Sequence, residues 1–278
     1  MGGVVVLSLC SAVAYGLSDF LGGLFARRAN VWAVSAASQG TAAMLTALLV
    51  AGNLDEPGSA ALAWGVLGGL GSGAGNVLIY RGLAQGRMAV VAPISAIAAA
   101  ALPVMVGFAT GERPGIAQAT GVFVAMPAIW LVSGGLAGLR HANRADVIAG
   151  LPAGLGFGVQ FSALGQIPPE AGLTPLAVSQ IVSASSIVIG AAVISEPWLP
   201  RDRFSRLGAV AGVLAGIATI CFQLAVQSGM LTIAGVLASL YPAVTVLLAA
   251  VVLHEPIARA QGIGLALGLA AVVLIAAA

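Results

Sequence analysis

Asp19 is the one carboxylate that the sequence places deep inside an apolar run, eight residues before Arg27. In a helix that is roughly 12 Å from the basic end, too deep for a short side chain to reach lipid headgroups. A carboxylate at such depth is costly unless it is protonated, paired or facing a wet cavity, and such residues mark ion and proton paths. The chemistry expected of Asp19 is therefore proton coupling or contact with a substrate amine. The plainer alternative is a neutral Asp19 hydrogen-bonded to its own helix or to Ser18. Around it the apolar runs carry Tyr15, Gln39, Asn76, Tyr80, Gln160, Gln180, Gln223, Gln227 and Tyr241. Amides need several partners where water is absent, so these side chains should face the interior of a bundle. Tyr15, Asn76, Tyr80, Gln160, Gln223 and Tyr241 are the set expected to orient a solute beside Asp19.

Three prolines within apolar runs, Pro93, Pro103 and Pro242, cannot donate to carbonyls about one turn earlier and mark bends or hinges. Pro242, beside Tyr241, is the expected bend on the solute path. Glu112 and Glu255 stand at ends of apolar runs as gates or, preferably, as structural groups that cap a helix or pair with Arg113 or Arg259. No catalytic constellation can be assembled: HExxH and GxSG are absent, and His141 and His254 both fall in connectors. Cys10 and Cys221 have no metal-binding spacing and read as small hydrophobes, so neither a metal nor a cofactor is expected. No GxxxxGK[ST] motif occurs and the chain has no lysine, so energy must come from a gradient or a partner.

The elements that hold these residues follow from composition. Of 278 residues, 60% are apolar and 7% are charged, with a mean hydropathy of +1.07. An ordinary soluble domain has about a quarter of its residues charged, so this chain must be covered by lipid. A net charge of +2 supplies no field for nucleic acid. A spanning helix needs about 20 apolar residues. Ten runs of that order are read, at 3–26, 31–52, 60–84, 88–110, 115–137, 147–167, 173–195, 206–228, 230–253 and 257–277. The first follows only Met1, Gly2 and Gly3, without a basic segment, and is expected to be retained. An open sheet would leave its backbone unsatisfied in hydrocarbon, so the expected fold is an all-α bundle of ten membrane helices.

At an offset of 143, Gly65, Gly69 and Gly73 fall on Gly208, Gly212 and Gly216, while Gly86, Glu112, Gln118 and Gly121 fall on Gly229, Glu255, Gln261 and Gly264. At an offset of 142, Tyr15-Gly16 meets Phe157-Gly158. Two five-helix repeats are expected, 1–137 and 147–278, joined by a connector at 138–146. An odd number of spans per repeat makes the second inverted relative to the first, the arrangement in which secondary transporters rock around a central site. The small-xxx-small glycine ladders read as seams where backbones approach closely.

The halves resemble the EamA-type branch of the drug/metabolite transporter superfamily. The similar segments are Tyr15-Gly16-Leu17-Ser18-Asp19-Phe20, Ala92-Pro93-Ile94 leading to Gly111-Glu112-Arg113-Pro114 and Gly121, and Ala238-Ser239-Leu240-Tyr241-Pro242 running into Leu253-His254-Glu255-Pro256 and Gly264. Relatives usually have Trp where Tyr15 stands, and a proline at the position of Ala99 where this chain has Pro103. The resemblance implies a secondary transporter of a small metabolite such as an amino acid or related solute, expected to be an exporter and proton-coupled. The alternative is a scaffold or lipid-handling membrane protein. The expected partners are a solute, protons and the lipid bilayer, with the chain a monomer or weak dimer. Alternating the connectors puts ten arginines on one face and Arg113 alone on the other. The positive-inside rule then predicts extracytoplasmic termini in a bacterial cytoplasmic membrane, opposite to the orientation usually pictured for relatives.

Overall fold

The structure is a computed structural model that describes residues 2–52, 57–84, 88–132, 144–252, 254 and 257–277. Among the described residues every regular element is helical. The α-helices are α1 (Gly2–Ala26), α2 (Val31–Val50), α3 (Ser59–Ala84), α4 (Met88–Ala109), α5 (Ile116–Val132), α6 (Arg144–Leu164), α7 (Thr174–Val193), α8 (Arg203–Gln227), α9 (Leu231–Ala238), α10 (Tyr241–Val252) and α11 (Arg259–Ala276). A short 3-10 turn, Pro169–Ala171, lies between α6 and α7. Among the described residues seven stretches are long and apolar enough to cross a membrane, with α9 and α10 counted as one, and Ser95–Ala109 and Ile116–Val132 are shorter apolar helices. Large hydrophobic side chains such as Leu48, Phe123, Val193 and Leu269 point outward, each more than 60% exposed. In water they would be a liability; here they form a lipid-facing surface, and the protein is a multi-pass membrane protein.

Helix limits repeat along the chain. Adding 143 to the limits of α2 gives 174–193, which is α7, and adding it to α4 gives 231–252, the start of α9 to the end of α10. The packing follows the same pattern. Gly65 and Gly69 of α3 lie on the backbone carbonyls of Pro175 and Ser179 in α7, and Gly208 and Gly212 of α8 lie on those of Val34 and Ser38 in α2. In both pairs the numbers rise together, so the helices run parallel. A methyl group at any of these four glycines would collide with backbone. Without a hydrophobic force to join helices inside lipid, close van der Waals approach of this kind holds them together.

The principal contacts join the first half of the chain to the second: α1 with α8, α2 with α7 and α8, α3 with α6 and α7, α4 with α6, and α5 with α11. The two halves interlock rather than standing side by side. Phe161, Phe222, Leu164, Leu176 and Tyr80 occupy one buried cluster, while Ile129, Ile233, Leu237, Ala271 and Ile275 fill another.

One expected element is corrected. The run at 230–253 is two helices, α9 and α10, separated at Ser239-Leu240. Pro242 is the second residue of α10 and has no N–H to give the carbonyl of Ala238, so the helix cannot pass this point with its bonds intact. Pro103, by contrast, sits buried in an uninterrupted α4, its ring against Gly235 of α9. Pro127 in α5 and Pro152 in α6 are further helix-interior prolines that the sequence reading did not single out. The backbone at Pro93 is helical, but its side chain lies outside the described residues, as do Glu255 and most of the 138–146 connector.

Candidate functional site

Asp19 lies on α1, which packs against α8, α3, α9 and α10. Its residue is only 8% exposed. Among the described residues no cation and no hydrogen-bond donor is paired with its carboxylate. Ser18, the neighbour proposed as a local partner, donates instead across the interface to the carbonyl of Ala211 at 2.9 Å. That bond fixes α1 against α8 and leaves Asp19 to other company.

Three tyrosines lie within electrostatic reach of Asp19: Tyr15, Tyr80 and Tyr241. Tyr15, one helical turn before Asp19, has its hydroxyl 2.9 Å from the Thr219 hydroxyl on α8. Its ring rests 5.7 Å from Phe161, which stacks at 4.5 Å on Phe222. Tyr80 comes from α3 and is wholly buried, its ring end lying on Gly22 where any Cβ would overlap it. Ser18, Ser38 and Asn76 surround its hydroxyl. Tyr241 opens α10 beside Ser95 of α4. The break after α9 thus brings Tyr241 within electrostatic reach of the carboxylate. The α10 segment is held to α1 at Gly16, where Val244 and the Tyr241 carbonyl leave no room for a side chain, and the Thr245 hydroxyl reaches the Gly16 carbonyl at 3.3 Å.

Of the remaining expected residues, Gln160 lies beside Tyr15 and Asn76 beside Tyr80. Gln223, one turn beyond Thr219 on α8, is fully buried. Buried side-chain atoms left without a protein partner include Tyr80 Oη, Tyr241 Oη, Asn76 Oδ1, Gln160 Oε1 and both amide atoms of Gln223. Gln39 Oε1, both Gln180 amide atoms and several serine hydroxyls are in the same condition. Each such group costs about 1–3 kcal/mol when nothing satisfies it. Thr219, Ser38 and Gly22 touch or neighbour these tyrosines and were missed from the sequence, because small hydroxyl residues and glycines occur throughout the chain. Their signal was register alone: Thr219 stands one turn before Gln223 on α8.

Glu112 has a definite role. Its carboxylate accepts the amides of Leu231 at 2.5 Å and Thr232 at 2.8 Å, and also the Thr232 hydroxyl. It is a helix cap supplied by a different half of the chain, meeting donors that α9 exposes at its start. Arg113, one of the two candidates for pairing, instead donates to the carbonyls of Phe108 and Glu112. At the opposite end of the bundle, Asn30 donates to Glu196 at 3.0 Å, and the guanidinium of Arg28 lies 5.2 Å from the Phe204 ring centre. Among the described residues no group of three His, Cys, Asp or Glu side chains could hold a metal.

Residues 146–277 match the family model described as the EamA-like transporter family. No curated protein matches the chain. Thirteen solved chains do match. One of them, titled "Crystal structure of protein", superposes with a TM-score of 0.73 at 17% identity, over 99% of this chain and 96% of its own. At that identity the likeness shows a shared fold. Residues 146–277, the second half of the chain, are thus similar to the EamA-like transporter family, a family of the drug/metabolite transporter superfamily.

Proposed function

We propose that the protein is a secondary transporter that carries a small solute by alternating access, with Asp19 as the charge through which solute or proton is bound. The observation that carries this reading is Asp19 itself: buried in the membrane, without a cationic partner among the described residues, and within electrostatic reach of three tyrosines from three helices. A structural carboxylate would be expected to hold a partner at such a depth, because the charged form costs several kcal/mol there. The match of residues 146–277 to the EamA-like transporter family supports transport as the activity.

Ten spans in two inverted halves are the arrangement we assign. The 143-residue recurrence of helix limits supports it, as does the parallel packing of α3 on α7 and of α2 on α8. Gly154 and Gly158 of α6 meet Ser95, Ala98 and Leu102 of α4 in rising order, so these helices are also parallel. If each helix reverses direction from the one before, α6 runs opposite to α1, as inversion requires. The proposed movement rocks one half against the other about the α1, α3 and α10 contacts at Asp19. Proton coupling at Asp19, export as the direction and extracytoplasmic termini belong to the same reading, the last on the arginine bias.

The test is solute-driven proton movement in proteoliposomes, with pooled amino acids, sugars and nucleosides, comparing wild type with Asp19→Asn. Flux that Asp19→Asn reduces by about tenfold or more is expected, the size of a lost charge-assisted contact. Folded wild-type protein that moves neither solute nor protons across the whole panel would overturn transport in favour of a scaffold or lipid-handling role.

A further inference from the structure

We infer that the arginines gathered where α1 gives way to α2 and α7 to α8 form a binding surface for the headgroups of anionic phospholipids. This goes beyond the transport reading and stands apart from it, since it concerns one end of the bundle and not the surroundings of Asp19. The first ground is the gathering itself. Arg201, Arg203 and Arg206 stand at and just before the start of α8, and all three are exposed. Arg28, exposed in the connector after α1, is brought to them by the fold, its guanidinium 5.2 Å from the Phe204 ring centre. Asn30 donates to Glu196 at 3.0 Å, a second tie between the same two connectors. The four cations therefore converge from both halves of the chain.

The second ground is how the neighbouring acids are used. Glu196 takes the Asn30 amide, and Asp202 accepts the N–H groups of Phe204 and Ser205 together with the Ser205 hydroxyl. Both carboxylates are thus held by neutral donors. Among the described residues no carboxylate pairs with Arg28, Arg201, Arg203 or Arg206, and Arg206 gives its Nε–H to the Asp202 carbonyl at 3.4 Å. Four guanidinium groups against two carboxylates bonded elsewhere leave positive charge in excess. A guanidinium presents a planar fork of donors that matches two phosphate oxygens, which makes arginine the residue suited to this partner.

The third ground is depth, and it separates a lipid from a soluble anion. Val193 and Ile194 at the end of α7, and Trp198 and Leu199 in the connector that leads to the arginines, are all exposed. Trp32, in the first turn of α2, rests at the same end, where a Cβ on Gly190 of α7 would lie 3.3 Å from its ring. Tryptophans at the ends of spanning helices mark the level of the headgroups. An exposed apolar flank that runs into exposed guanidiniums suits one molecule of both characters, with acyl chain beside Val193 and Ile194 and phosphate on the arginines. A soluble anion would use the charge and leave the apolar flank unmet. A zwitterionic lipid would bring its own cation toward the arginines, so the lipid selected is one with net negative charge.

The test is lipid binding to purified full-length protein by native mass spectrometry. The probes are dioleoyl phosphatidylglycerol and dioleoyl phosphatidylcholine, which share their chains and differ in charge, with inorganic phosphate as a soluble competitor. Wild type is compared with Arg201→Gln/Arg203→Gln, with Arg201→Lys/Arg203→Lys, and with Arg113→Gln at the opposite end of the bundle, each first shown to be monodisperse. A basic residue beside a charged leaflet is worth about fivefold in binding, so wild type should prefer phosphatidylglycerol by about tenfold or more. The glutamine pair should lose that preference, the lysine pair should keep most of it, and Arg113→Gln should behave as wild type. Added salt should weaken the preference, as expected of exposed charges. The inference is overturned if the two lipids bind wild type equally, if the glutamine pair keeps the preference, or if Arg113→Gln loses it as fully as the glutamine pair. Failure of the lysine pair to retain any preference would remove charge as its cause. Displacement of phosphatidylglycerol by inorganic phosphate would make the surface a site for a free anion and overturn the lipid assignment. None of these outcomes bears on solute flux, which the Asp19 experiment reads separately.

Discussion

A hydroxyl without a partner and one with a partner should respond differently to removal, and the tyrosines around Asp19 offer both cases. Tyr80 Oη has no protein partner within hydrogen-bonding geometry, whereas Tyr15 Oη bonds Thr219. Tyr80→Phe should leave unfolding free energy unchanged or raise it by up to about 1 kcal/mol, while Tyr15→Phe should lower it by about 0.5–1.5 kcal/mol. Denaturant unfolding of purified protein checks the pair. Equal losses would show that Tyr80 is satisfied in the resting protein and not reserved for a guest. The close fit of Tyr80 on Gly22 adds a steric test: Gly22→Ala must displace a fully buried ring, at a cost of about 1–3 kcal/mol. Asp19, Tyr15 and Tyr80 were legible as single residues, because a carboxylate or phenol in an apolar run is conspicuous. Gly22, Ser38 and Thr219 were not, since their part depends on what lies opposite them.

Helix ends and helix seams carry the next set of consequences. Glu112→Ala removes the acceptors for two α9 amides and a hydroxyl, and should destabilise the protein by about 1–2 kcal/mol. Arg113→Ala leaves that cap in place and should cost less in the same unfolding experiment. Gly212 lies against the Ser38 carbonyl, so Gly212→Val should cost about 1–3 kcal/mol or more. Gly40 has open space around it, and Gly40→Ala should be neutral or stabilise α2 by about 0.5–1 kcal/mol. If both glycine variants behave alike, the α2/α8 seam is not the close contact described. At the start of α8, Asp202 accepts the amides of Phe204 and Ser205 and bonds the Ser205 hydroxyl. The Ser205 hydroxyl and amide, followed by that of Phe204, hold the Asp202 carboxyl below the usual carboxylate range. A depressed value means that the cap stabilises above the ordinary aspartate pKa and loses this as pH falls through the folded-state value. Thermal unfolding of Asp202→Ala should therefore show its largest deficit near neutral pH and converge on wild type in acid. Helix limits were readable from apolar runs to within a few residues. The α9/α10 break was foreshadowed only as a bend at Pro242, because a proline states which bond is lost and not how the chain reorganises.

Across the whole molecule, the main helix contacts cross from the first half of the chain to the second. Residues 1–137 expressed alone should therefore be degraded or heterogeneous in the membrane, and co-expression with 138–278 should restore a monodisperse complex by size-exclusion chromatography. A first half that is monodisperse by itself would contradict the interlocked packing. By itself the sequence determined that the chain lives in lipid, which stretches are helical, and where similar segments recur. These are local matters: hydrocarbon obliges each apolar segment to satisfy its own backbone as a helix, whatever its neighbours. Only the tertiary structure decided that Tyr15, Tyr80 and Tyr241 come within electrostatic reach of Asp19, that Glu112 caps a helix more than a hundred residues away, and that α9 ends before Tyr241. Helices already in lipid gain no hydrophobic energy by meeting, so small-residue seams and a few long-range hydrogen bonds choose their partners. Those choices depend on surfaces far apart in the chain, and no single segment records them.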